Sequence, residues 1–134
     1  MKTLSKTAYF TALGTGLFLL FIGYRFFTVP AVAATDFGID LGPTDHFELH
    51  NIKAMRDFCI GVLSLVLLFT KEYRSLGWLM LCMAPVPAND LRLVLENPHH
   101  PAAAIYPHLA ALIVCLALGV YYLYATRKSV VYAL

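Results

Sequence analysis

The segment "KAMRDFCIGVL" places Lys53, Arg56 and Asp57 at i, i+3 and i+4, on one face of a helix, at the start of a run apolar enough for lipid. Charges at membrane depth are costly, and they mark either a functional site or ion pairs between helices. A second carboxylate, Asp90, follows Asn89 in "PANDLRLVL", and His108 opens the last apolar run. Two carboxylates beside cations, one ionised and the other protonated, form a recurring acid/base arrangement. Histidine adds a relay near neutral pH. In this reading Asp57 and Asp90 are acid and base and His108 is the relay. Arg25 and Arg56 orient the carboxylates, and Lys53, Asn89 and Arg92 line the same space. The competing reading makes Asp57–Arg25 and Asp90–Arg56 interhelical salt bridges that only hold the helices together.

The elements that must position these groups follow from composition. The 134 residues are 60% hydrophobic and 13% charged, the balance of an all-α membrane protein rather than a soluble domain. Four apolar runs, at about 8–28, 52–70, 76–95 and 102–125, each approach the ~20 residues that cross ~30 Å of hydrocarbon. The expectation is a single domain, a four-transmembrane-helix bundle with an outer loop at 29–51. Six of the ten basic residues, Lys2, Lys6, Lys71, Arg74, Arg127 and Lys128, flank these runs on one side. The positive-inside tendency makes that side cytoplasmic, with both termini in. Lys2, Lys6, the first run and Ala31-Val32-Ala33 resemble a secretory signal, but the run is long and holds Arg25 near its end, so a retained helix is expected.

Depth follows from the rise of ~1.5 Å per residue. Arg25, Arg56, Asp57, Asp90 and His108 fall in one layer, roughly 4–9 Å inside the outer ends of the four runs. The expectation is an outer-leaflet polar pocket, capped by the 29–51 loop. Pro85 and Pro87 interrupt the third run and free carbonyls that must face protein or water, which also suits an internal cavity. Small residues every four positions, Ala8, Ala12, Gly16 and Ala111, Cys115, Gly119, point to close helix packing within the bundle or between copies. Cys59, Cys82 and Cys115 lie one per run and read as small apolar packers. "HFELH" suits one amphipathic turn on the membrane surface, and His46, His50, His99 and His100 are too loosely placed to imply a metal. No P-loop, GxGxxG, GxSxG or HExxH occurs, so no cofactor is expected, and the sparse basic residues exclude nucleic acid.

"GYRFF", "DFGI", "KAMRDFCIGVL", "PANDLRLVL" and His108 together resemble a family of small four-helix integral membrane proteins of bacteria and fungi known as a domain of unknown function. The resemblance spans most of the chain and implies that Arg25, Lys53, Arg56, Asp57, Asp90 and His108 define the family. It implies no activity.

The function expected from the residues is binding of a lipophilic small molecule, with isomerase or cyclase chemistry by acid and base alone. Two other readings use the same residues differently. One is an accessory subunit of a membrane complex, with the small-residue stripes turned to a partner membrane subunit. The other is a small proton-coupled transporter, for which four helices would need a homo-oligomer.

Overall fold

A computed structural model of the chain describes residues 4–38 and 48–127. Asp40, Gly42, Pro43, Asp45 and His46, and the basic termini at Lys2 and Lys128, lie outside the described residues, so the "HFELH" turn is described only from Glu48 onward.

Among the described residues six α-helices follow one another: α1 Lys6–Thr28, α2 Pro30–Phe37, α3 Glu48–Phe69, α4 Tyr73–Met83, α5 Pro85–Glu96 and α6 Ile105–Thr126, with a 3-10 turn at Ala102–Ala104 before the last. Within the 29–51 segment, residues 30–37 and 48–51 are therefore helical. Pro30 opens α2 at its first position, where a missing N–H costs nothing, and it forces Val29 out of the helical region at φ −139°. Gly38 ends α2 in the left-handed conformation at φ 97°. At the opposite end, Lys71 adopts φ 63°, and Glu72 N–H and Lys71 N–H reach back to Leu67 O (2.8 Å) and Leu68 O (3.2 Å), closing α3 before α4 begins.

The prolines bend the third apolar run without unwinding it. Ala84 keeps helical angles between α4 and α5, and its N–H is shared between Met80 O (3.1 Å) and Leu81 O (3.2 Å), so the carbonyl that Pro85 cannot serve is still bonded.

Among the described residues three helical stretches are long and apolar enough to cross a membrane: Lys6–Thr28, Tyr73–Glu96 and Ala102–Thr126. They mark the chain as a membrane protein. Of the four spans expected, the second does not meet that standard, because α3 carries Lys53, Arg56 and Asp57 within its apolar part. The packing has the same character. Many buried positions are small, among them Ala8, Ala12 and Ala54, while large apolar side chains such as Phe10, Val66, Phe69, Ile113 and Val120 face outward. A water-soluble core would reverse that order; in lipid, helices gain by close approach of small residues.

The helices form two antiparallel pairs, α1 with α3 and α4–α5 with α6. Backbones nearly touch in both, at Gly16, Gly23 and Gly61 in the first and at Gly77 and Gly119 in the second. The small-residue stripes are thus spent inside the chain: Gly16 faces Gly61 and Leu65, and Gly119 faces Gly77 and Leu81. The pairs join firmly at the basic end, where Ala8, Ala12, Leu68, Leu76, Met80, Cys115, Leu118 and Tyr122 make one core. Tyr122 donates its hydroxyl hydrogen to Ala8 O (3.0 Å), and Ser5 N–H donates to Tyr121 Oη (2.7 Å).

At the other end the pairs diverge, and α2 bridges them. Its Ala33 and Ala34 pack with Phe26 and Ala54 on the first pair. Its terminus is tied to the second, where Asn97 Nδ2 donates to Gly38 O (3.0 Å). A Cβ on Gly38 would lie 2.7 Å from the Ala104 Cβ, in a backbone conformation that L residues resist. Gly38→Ala is therefore expected to destabilise the fold by about 1–3 kcal/mol, read as a lower thermal midpoint in mild detergent, with α2 the first segment to become protease-sensitive.

Candidate ligand cavity

Because the pairs separate beneath α2, they leave a cavity of about 600 Å³ between them. This is within the ~300–1,000 Å³ of small-molecule sites. Phe18, Ile22, Ile60, Met83, Pro87 and Val114 are among its apolar walls, and Arg25, Asp36, Lys53, Asp57, Asp90 and His108 its ionisable ones. The expected polar pocket is thus mostly apolar, with polarity gathered at one end.

Local helix geometry explains that gathering. Lys53 Nζ meets Asp57 Oδ2 at 2.9 Å, the i,i+4 pair of the α3 face. Arg56 holds the other oxygen, Asp57 Oδ1, through Nε (3.1 Å) and a terminal nitrogen (3.0 Å). Asp57 is 4% exposed and has a cation on each oxygen. Lys53 also faces Asp90 Oδ2 across the cavity at 3.8 Å, an ion-pair distance too long for a hydrogen bond. Its ammonium lies over the rings of Phe37 (4.6 Å) and Phe26 (5.2 Å), whose negative faces favour a cation.

The pairing differs from the expected Asp57–Arg25 and Asp90–Arg56 bridges. Arg25 reaches Asp36 on α2 at 2.7 Å instead. The insertion of α2 beside the end of α1 supplies a nearer carboxylate, so Arg25 orients the cap and neither of the central acids. Asn89 and Arg92 do not line the cavity. Both are exposed, since Pro87, Asp90 and Val94 occupy the inward face and positions two residues away turn outward. Arg92 makes an exposed pair with Glu96 at 3.7 Å.

His108, 8% exposed, approaches Phe37 O with Nε2 at 3.1 Å and packs edge-on to the Phe37 ring at 4.3 Å. A carbonyl only accepts, so Nε2 is the donor, and in the neutral ring the lone pair then lies on Nδ1. The α2 terminus therefore orients His108 and fixes the tautomer of its neutral ring. Sequence reasoning gave no role to Asp36 or Phe37, although "DFG" offered a signal: an acid and an aromatic just before a glycine suited to ending a helix. Of the other histidines, His50 in the first turn of α3 stacks on Phe26 (5.8 Å), and His100 Nδ1 meets Asn97 O (2.6 Å) in the turn before α6.

No curated protein and no solved structure matches the chain. A family model does, over residues 16–122, which takes in α2 to α5, most of α1 and α6, and every residue of the charged cluster. The chain belongs to the family described as a domain of unknown function, DUF4267.

Proposed function

We propose that this protein is a four-span membrane protein that binds a lipophilic small molecule between its helix pairs, and that Asp90 and His108 carry out proton transfer on it. The observation that supports this is the cavity: apolar for most of its depth, with Lys53, Asp57, Asp90 and His108 at one end. A lipophile would enter from the bilayer and place a polar group against that end.

In this reading α3 is the fourth span. It packs along α1 through Gly23, Gly61 and Ala54, and its charges fall in its first three turns while residues 58–69 carry none. Four crossings put both ends of the chain on the side bearing Lys6, Lys71, Arg74 and Arg127, the cytoplasmic side by charge. The cavity then opens in the outer half of the membrane.

The roles divide by geometry. Asp57, held on both oxygens, positions Lys53 and Arg56 and has no free oxygen for chemistry. Asp90 faces the cavity with no hydrogen bond from any described residue, and His108 offers the Nδ1 lone pair. These two are the groups able to accept and return a proton, as an isomerisation or cyclisation requires.

The test is mass spectrometry of small molecules extracted from protein purified in mild detergent. A lipophilic species should accompany the wild type, be lost from Ala111→Phe, which narrows the cavity and leaves every charged residue in the sequence, and be lost or chemically altered in Asp90→Asn. A wild-type extract matching that of Ala111→Phe would overturn the reading.

A further inference from the structure

The charged end of the cavity restricts the ligand's polar group, an inference that rests on the lipophile reading above. Three cations, Arg25, Lys53 and Arg56, stand there against three carboxylates, Asp36, Asp57 and Asp90. Each cation already has a carboxylate partner. An anionic head group would find these three cations already paired and would meet Asp90; an ammonium would add an unbalanced positive charge beside Lys53. Uncompensated charge in an apolar surround is strongly disfavoured.

The unmet demand is for a hydrogen-bond donor. Asp90, with its side chain 16% exposed, accepts no hydrogen bond from a described residue, and Lys53 Nζ lies 3.8 Å away. Lys53 has three N–H groups, and Asp57 takes one of them at 2.9 Å. A group set between Asp90 and Lys53 must therefore donate to the first and accept from the second. A hydroxyl does both. A carbonyl or an ether oxygen can only accept, which leaves Asp90 bare.

We infer that the cavity selects an uncharged lipophile bearing a hydroxyl group, an alcohol or phenol seated between Asp90 and Lys53 with its hydrocarbon along α1 and α6. Asp90 is then the specificity-determining residue of the site.

The experiment measures competitive binding to purified full-length protein in mild detergent, using a long-chain alcohol and the methyl ether, carboxylic acid and amine of the same chain as probes. The alcohol is expected to bind at least about tenfold more tightly than each of the others, the margin of a hydrogen bond to a charged group. In Asp90→Asn the carboxylic acid is expected to gain affinity several-fold, because one negative charge is removed while Lys53 and Arg56 remain. A gain confined to the acid does not come from misfolding, which would change the binding of all four probes of the same chain alike. Equal binding of all four probes, or an acid that binds the wild type as well as the alcohol, would overturn the head-group inference and leave lipophile binding standing. If none of the probes binds and Ala111→Phe behaves like the wild type, the lipophile reading fails and this inference with it.

Discussion

Asp57→Leu is expected to cost about 3–5 kcal/mol, the usual penalty for removing one partner of a buried ion pair, and to give the lowest thermal midpoint of any single change in the charged cluster. The cause is the charge left behind. Lys53 would keep only Asp90 at 3.8 Å, and Arg56 would lose both of its contacts to Asp57. Because the Arg56 side chain is 42% exposed, it can turn toward polar surroundings, which places the loss toward the lower end of that range. The double variant Arg56→Met/Asp57→Leu restores the balance, with Lys53 facing Asp90 alone. It is expected to be more stable than Asp57→Leu, a sign of coupling that packing loss alone would not produce. Thermal unfolding of the three proteins in one detergent decides the matter. If the double variant is no more stable than the single one, Asp57 acts through its volume and not through its charge.

The second large effect is steric. A Cβ on Gly61 would stand 2.9 Å from Gly16 O and 3.0 Å from Leu20 N, both backbone atoms that cannot rotate away. Gly61→Leu must therefore push α3 off α1. Overpacking usually costs about 1–3 kcal/mol, and here it also separates the pair on which Lys53, Arg56 and Asp57 depend for their place against α2. The expected outcome is loss of monodisperse, ligand-competent protein. Gly14 supplies a control of opposite sign on the same interface helix. Nothing lies within 4 Å of its added Cβ, so Gly14→Ala is expected to be neutral or to stabilise by about 0.5–1 kcal/mol through helix propensity. Size-exclusion profiles after stepwise heating would separate the two. A Gly61→Leu protein as stable as the wild type would mean that the α1–α3 approach is looser than the backbone distances require.

Other features of the molecule were legible in the sequence to different degrees. The long helices are set by local physics: about twenty apolar residues must hydrogen-bond their own backbone in lipid, and Pro30, Gly38 and the prolines of "MAPVPAND" mark ends and bends by their dihedral limits. The Lys53–Asp57 pair follows from i,i+4 spacing alone. Helix rise alone gives the expectation of a common depth for the charges, and Asp57, Asp90 and His108 line one cavity. The outward turn of Asn89 and Arg92 was available in principle from the 3.6-residue period, once Pro87, Asp90 and Val94 are taken as the buried face.

What only the tertiary structure decided is which groups meet. Sequence spacing gives a residue's height on its helix, but the rotation and neighbours of that helix come from packing across the whole chain. Arg25 pairs with Asp36 because α2 folds back beside the end of α1, and His108 meets Phe37 O, a backbone atom with no signature in the sequence. The cavity exists for the same reason: glycines draw each helix pair together at its own interface, whereas α2 stands between the pairs and keeps them apart at one end.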